Sequence, residues 1–330
     1  MDLFQLLSDI EKVDPEVYKR FDARRRVFKH FGAMGKKLTA AAIPGLVSGL
    51  FSKAYGQTSA ALPADVVNVL NLALSLEYLE FYFYDTALNR PTYGLTTSAT
   101  LFTTTPATAT SERQGIVIIR NDEEGHIKTL RAALGTAAIP EPSRALFDYS
   151  GGGGSLKGPF ADVFTSSATF YKVAQSFVDT GVRAYKGGAP TLFNNKDLLE
   201  TALNIHSVEA RHSSHVRTIR RGKAASVDGP AAALAAPGSP TTAPKSWISG
   251  IDNGGASPST TVSTTPIYGA GSPATDYPAE NNIIQAGRTI TNDSGINDVA
   301  ASEAFDEPLD AKTVRTIARN FVTSTSTLFT

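Results

Sequence analysis

Two pairs of residues in this chain combine a carboxylate with an imidazole three positions later: Glu123 with His126, and Glu209 with His212. Residues three apart lie on one face of an α-helix, so each pair can direct both side chains to the same point. The second pair belongs to the stretch LNIHSVEARHSSHVRTIRR (203–221), which holds three of the five histidines of the chain. One imidazole with carboxylates suits iron or manganese, so the spacing predicts a metal site built from two helices.

A further carboxylate is available in the stretch LSLEYLEFYFYD (74–85), which offers Glu77 and Glu80. Glu77 lies at the midpoint of a helix predicted over about 65–89, among apolar residues. A carboxylate buried there would be strongly unfavourable unless it were paired or bound to a metal. Glu123 and Glu209 also lie near the midpoints of their predicted helices, so three helices carry candidate ligands at one height.

The remaining helical segment, over about 160–187 and third in chain order, is poorer in carboxylates. It contains Asp162 near its start and Asp179 past its middle. Gln175 lies closer to the centre, but an amide is a poor metal ligand. We therefore choose Asp179 as the ligand from this segment, with Gln175 as the alternative.

Four segments with helical periodicity must position these residues, over about 65–89, 112–134, 160–187 and 196–221. Each would be roughly 35–40 Å long at 1.5 Å per residue. Similar lengths favour a four-helix bundle, and the long link between the second and third segments predicts a middle crossover. The expected fold is therefore an all-α four-helix bundle with a long middle crossover.

Composition divides the chain into three parts, which we place at 1–57, 62–222 and 223–330. The first contains a basic run (24–37) followed by a modestly apolar run (38–51) and small residues. This order, with Arg25-Arg26 as a twin-arginine pair, predicts a protein exported in folded form, for example to the periplasm. The alternative is an uncleaved N-terminal helix pair that packs on a cytoplasmic protein.

The third part is rich in Ala, Pro, Gly, Ser and Thr, as loops are. Aromatic residues recur in it, so we expect it to lie on the bundle. One short terminal helix is predicted over about 311–322, with Asp310 as its N-cap.

Charge and composition argue against several classes of protein. Lys+Arg and Asp+Glu each number 31, and this balance argues against an electrostatic nucleic-acid binder. The chain has no cysteine, which excludes disulfides, thiolate metal sites and a cysteine nucleophile. Because it has no stretch of 18 uninterrupted apolar residues, we expect no transmembrane span.

Four stretches resemble the ferritin-like di-iron carboxylate superfamily, and more narrowly its desiccation- and stress-related proteins. They are LEYLEFYFYD (76–85), NDEEGHIKTL (121–130), FVDTGVRAYKG (177–187) and SVEARHSSHVR (207–217). The resemblance implies the metal ligands Glu77, Glu123, His126, Glu209 and His212. Ferritins place a tyrosine seven residues after the first ligand, and Tyr84 matches this spacing from Glu77, which favours Glu77 over Glu80. The third-helix position usually carries Glu, whereas this chain has Val178-Asp179 there.

The resemblance implies two iron ions, or manganese ions, bridged by Glu123 and Glu209. The expected reaction is the oxidation of Fe(II) by dioxygen or peroxide in a stress-protective role, with Tyr84 as hydrogen-bond partner or electron donor. Alternatives are manganese-catalase-like chemistry and a structural, protective or assembly protein with a degenerate metal site. His206 is either a supporting residue or a surface histidine, and His215 is not expected to be a ligand. Assembly into homo-oligomers stays open.

Overall fold

Four long helices form where the sequence repeats apolar residues at helical spacing. The computed structural model describes residues 61–88, 101–102, 111–222, 244–249, 265–293 and 295–330. The four long helices are α1 (Ala64–Leu88), α2 (Ser111–Leu134), α3 (Ser167–Gly188) and α4 (Lys196–Gly222). The all-α bundle with a long middle crossover is confirmed over these residues. The predicted N-terminal segment (1–57), with its twin-arginine pair, lies outside the described residues.

The third helix begins later than its periodicity predicts, at Ser167 rather than at about 160. Ser166 is the N-cap, and its side chain accepts a hydrogen bond from the Thr169 amide. Residues 160–165 fold as turns instead, although Phe160 and Val163 are buried. Apolar spacing alone does not distinguish a buried turn from the first turn of a helix.

Most residues in the second half of α1 are buried, on every side of the helix. α1 packs mainly on α2, while α3 packs mainly on α4. The Phe83 ring of α1 stacks on Phe170 with centroids 4.7 Å apart and meets Phe177 edge-on at 5.0 Å. α1 is long and apolar enough to cross a membrane, but 67% of its apolar window is buried inside the protein.

The crossover from α2 to α3 (135–166) is held by one buried carboxylate and by a distant segment of the chain. Asp148 accepts hydrogen bonds from the amides of Gly154 at 2.7 Å and Leu156 at 3.1 Å, which closes the glycine-rich loop. The Asp148 amide donates to the Phe321 carbonyl at 2.9 Å, and the Thr323 amide donates to the Leu146 carbonyl at 2.8 Å. Residues 321–324 therefore tie down the middle of the crossover.

The extension after α4 contains short elements that lie against the bundle. They are α5 (Thr265–Tyr268), β1 (Ile284–Gln285), β2 (Arg288–Thr289), α6 (Asp298–Glu303) and α7 (Ala311–Ala318). β1 pairs antiparallel with β2, with Ile284 opposite Thr289. Asp310 caps α7 by accepting a hydrogen bond from the Thr313 amide at 3.0 Å, as predicted. α7 packs on α3 and α1, so this part of the extension lies on the bundle, as expected.

One buried cation fastens the extension to α3. The Arg183 side chain is fully buried and lies 2.8 Å from the Glu280 carboxylate. It also donates hydrogen bonds to the carbonyls of Glu307 at 3.0 Å and Pro278 at 2.8 Å. Arg183 therefore joins one face of α3 to two separate segments of the extension.

Candidate metal centre

Three helices bring their carboxylates and imidazoles to one point inside the bundle. α1 supplies Glu77, α2 supplies Glu123 and His126, and α4 supplies Glu209; all four are buried. Each of them offers one ligand atom, and these atoms all lie within 4.8 Å of one another. The carboxylates that were expected at one height on separate helices therefore converge in the interior.

The His126 ring marks the first half of the centre. Its Nδ1 atom lies 3.1 Å from Glu77 Oε2, 3.1 Å from Glu123 Oε2 and 3.3 Å from Glu209 Oε1. A single ring N–H cannot satisfy three carboxylate oxygens at once. Ligand atoms that surround one ion at about 2.1 Å lie roughly 3 Å from one another, so these atoms are close enough together to share one ion.

The His212 ring marks the second half. Its Nδ1 atom lies 3.0 Å from Glu123 Oε1 and 3.7 Å from Glu209 Oε2. The two imidazole centroids are 6.2 Å apart. Glu123 and Glu209 thus each turn one oxygen toward one histidine and the other oxygen toward the second, so both carboxylates lie between the two imidazoles.

Two residues outside the predicted ligand set orient the ligands. His212 Nε2 lies 3.1 Å from Asp122 Oδ2, and donation of its proton to that carboxylate leaves the Nδ1 lone pair directed inward. The Tyr185 hydroxyl of α3 donates a hydrogen bond to Glu77 Oε1, which leaves Oε2 facing His126. Asp122 adjoins the Glu-x-x-His pair and was open to discovery from the sequence, whereas nothing in the sequence distinguishes Tyr185.

Several buried polar atoms at the centre have no hydrogen-bond partner among the described residues. They include Glu80 Oε2 and both carboxylate oxygens of Glu209. Buried carboxylates are normally paired, hydrogen-bonded or bound to metal. The donor set is made of hard oxygens with one imidazole in each half, so it fits iron or manganese ions.

Burial and mutual repulsion set the charge state of these acids. Burial raises the pKa of Glu77 to about 8, although the neighbouring His126 lowers it. Burial, together with repulsion by Glu209, also raises the pKa of Glu80 well above its ordinary value. Burial alone would raise the pKa of Glu123 as well. The attraction of His212 and His126 outweighs burial and holds the pKa of Glu123 below its usual range. Without a metal the centre therefore keeps protons, which bound cations would displace.

Asp179, the ligand expected from the third helix, lies in a different cluster. Its Oδ1 atom accepts hydrogen bonds from Ser213 at 2.6 Å and Arg217 at 3.1 Å, and its Oδ2 atom accepts one from Tyr268 at 2.7 Å. The alternative, Gln175, accepts a hydrogen bond from Arg220 and donates one to the Tyr268 hydroxyl. The structure brings neither residue to the four-ligand group, because both face the Arg-rich end of α4 and the extension.

The remaining candidates have distinct positions. Tyr84 is fully buried, and its hydroxyl has no hydrogen-bond partner within the described part of the chain. Burial raises the pKa of Tyr84, and repulsion by the Glu80 carboxylate adds to this shift. His206 Nδ1 donates to the Val182 carbonyl at 3.0 Å, and His215 lies against Gly115 of α2. A redox role for Tyr84 stays a prediction.

Comparison with known proteins agrees with this geometry. No curated protein and no solved structure matched the chain at a significant level. Residues 65–221 match the model of a family described as Ferritin-like domain. The matched range contains nearly all of α1 to α4 and every residue of the metal centre. The match supports the ferritin-like superfamily, and residues 65–221 form a ferritin-like four-helix bundle around a buried Glu/His cluster able to hold metal.

Proposed function

We propose that the protein takes up two Fe(II) ions at this centre and oxidises them with dioxygen or peroxide. The observation that carries the proposal is the shared use of Glu123 and Glu209, each of which turns one oxygen toward each histidine. Such an arrangement supports two ions side by side rather than one. The chemistry supplied by the ions is the loss of one electron each.

The reaction balances with either oxidant. Two Fe(II) ions and two protons convert one peroxide molecule to two water molecules, and the same two ions with two protons convert dioxygen to peroxide. The protein contributes hard oxygen ligands that hold iron in both oxidation states. Its apolar bundle keeps bulk water away from the ions, and the Tyr185 and Asp122 contacts keep Glu77 and His212 in place.

We also propose that the biological role is protection against oxidative stress. The support is chemical: the reaction consumes Fe(II) and peroxide together, and this pair otherwise generates damaging radicals. Incubation of plasmid DNA with Fe(II) and peroxide tests the role. Metal-free wild-type protein should reduce strand nicking, while Glu123→Ala should not. Equal nicking with the two proteins would contradict a protective function based on this centre.

A second candidate is a structural or protective protein whose metal site is degenerate. The observation that favours it is the absence of a carboxylate from α3 in the four-ligand group, since Asp179 is held by Arg217 instead. Under this reading the bundle binds no pair of ions. Measured iron content separates the two candidates directly.

Anaerobic titration with Fe(II), followed by addition of dioxygen or peroxide, tests the proposed function. We expect wild-type protein to bind two irons per chain and to oxidise them faster than protein-free buffer does. Glu123→Ala and His212→Ala should lose both properties, whereas His215→Ala, which changes a histidine away from the ligand group, should keep them. A wild-type protein that binds no iron, or a Glu123→Ala variant that oxidises iron at the wild-type rate, would overturn the proposal.

A further inference from the structure

The two halves of the centre differ in their terminal carboxylates. The inference drawn from this difference rests on the two-ion function proposed above. The half marked by His126 has Glu77, whose second oxygen is held by Tyr185. The half marked by His212 shares Glu123 and Glu209 but receives no carboxylate from α3. A second ion would therefore lack one ligand unless another residue supplies it.

The position on α3 that faces this half is Gly181. A Cβ atom at Gly181 would lie 3.2 Å from Glu209 Oε2 and 3.4 Å from Glu80 Oε1. A side chain on α3 at this position would thus meet two carboxylates at once, one from α4 and one from α1. A carboxylate side chain at this position would have to occupy the space that Glu80 now fills.

Glu80 is the carboxylate that enters this space. Its side chain is buried, with 4% of the residue exposed, and its Oε2 atom has no hydrogen-bond partner among the described residues. The charged groups that act on it are Glu209, Glu123 and Glu77, which repel its charge, and His212, which attracts it. An unpaired buried carboxylate surrounded by other acids is strongly unfavourable, and a bound cation is the partner that removes the conflict.

We propose that Glu80 is the terminal carboxylate of the second metal position, in place of a carboxylate from α3. That position then consists of Glu80, Glu123, Glu209 and His212. Glu77 and Glu80, three residues apart on one face of α1, serve one ion each. Gly181 leaves the room that Glu80 requires.

This assignment also explains why α3 can serve another purpose. Because α3 supplies no ligand, its Asp179 pairs with Arg217, and its Arg183 binds the extension. Tyr185 is the residue through which α3 still supports the centre, by holding Glu77.

Metal stoichiometry tests the assignment without reference to activity. Metal-free protein is dialysed anaerobically against Mn(II), and bound metal is measured by elemental analysis and electron paramagnetic resonance. We expect two ions per wild-type chain with the signal of a magnetically coupled pair. Glu80→Gln should bind one ion with the signal of isolated Mn(II). Asp179→Asn should keep two ions.

A second substitution approaches the same space from α3. Gly181→Leu should crowd both the Glu209 and the Glu80 carboxylates and lower the stoichiometry below two ions while Glu80 itself is unchanged. Circular dichroism and melting temperature verify that both variants are folded, and Glu80→Gln, which replaces a buried carboxyl group by an amide of the same shape, should melt no lower than wild type.

The outcomes separate the two levels of inference. Two ions in wild type and two in Glu80→Gln would overturn the role of Glu80 and leave the proposed function intact. A single ion in wild type that Glu80→Gln retains would overturn both the role of Glu80 and the two-ion function. Binding of no metal by wild type would instead refute the proposed function itself.

Discussion

Replacement of Glu77 by glutamine should stabilise the metal-free protein while it removes a metal ligand. Burial raises the pKa of Glu77 to about 8 in the folded protein, from an ordinary value of 4.5. The folded state therefore holds a proton that the unfolded state has released between these values. Stability from this group is present at low pH and is lost as the pH rises toward 8, by about 1.4 kcal/mol per pH unit.

The magnitude follows from that slope. Between pH 5 and pH 7.5 the wild-type protein should lose about 3 kcal/mol through Glu77, while Glu77→Gln has no such loss. A difference of this size corresponds to roughly 6–12 °C in melting temperature for a domain of this size. Glutamine has the same shape and its amide oxygen can still accept the Tyr185 hydrogen bond, so the change mainly removes the ionisable group.

Thermal unfolding in the presence of a chelator, at a series of pH values, measures the effect. Glu77→Gln should melt above wild type at pH 7.5, and the difference should shrink toward pH 5. Addition of Mn(II) should raise the melting temperature of wild type more than that of the variant. Glu200→Gln, an exposed glutamate on α4, serves as the control and should follow wild type at every pH. A difference that does not change with pH would refute the reasoning from burial.

Three further predictions concern residues near and beyond the centre. Tyr84→Phe should keep two ions but slow Fe(II) oxidation, as followed by stopped-flow absorbance; an unchanged rate would remove Tyr84 from the reaction. Asp179→Asn should keep the metal and lose about 3–5 kcal/mol in chemical denaturation, because the buried Arg217 loses its carboxylate. Equal free energies of unfolding for Asp179→Asn and wild type would show that the ion pair is dispensable. Arg183→Met should leave Glu280 buried without its cation. Limited proteolysis should then cleave the extension before the bundle, and simultaneous cleavage would contradict an anchoring role.

The helices and most of the candidate centre were predictable because they depend on local spacing. A Glu-x-x-His pair shares a helix face wherever the helix packs, so Glu123, His126, Glu209 and His212 converge as soon as the bundle forms. The lengths of α1, α2 and α4 follow from their periodicity, and the Asp310 cap follows from residue type.

The contribution of the third helix was not predictable in the same way. Which of its side chains faces the centre depends on the rotation of α3 about its axis, and tertiary packing sets that rotation. Asp179 had the right chemistry for a ligand, but a buried cation on α4, Arg217, lies closer to it than the metal centre does. Gly181, which faces the centre, has no side chain that a search for ligands would find.

The choice between Glu77 and Glu80 shows a related limit. Sequence spacing to Tyr84 favoured Glu77 alone, yet both glutamates are buried on the same side of α1. The space for the second glutamate comes from a glycine about one hundred positions later in the chain. Two residues so far apart carry no joint signal in a single sequence.

The pairing of residues 321–324 with the crossover has a consequence for the order of folding. A ribosome adds roughly 5–20 residues per second, so this segment emerges on the order of ten seconds or more after Leu146 and Asp148. Until then, the hydrogen bonds that Leu146 and Asp148 form with it do not exist. The helices α1 to α4 are thus all translated before the crossover between α2 and α3 forms its native hydrogen bonds. Contacts between residues so far apart in the chain also favour slow folding. The crossover between α2 and α3 can therefore form these hydrogen bonds only after the extension has been translated.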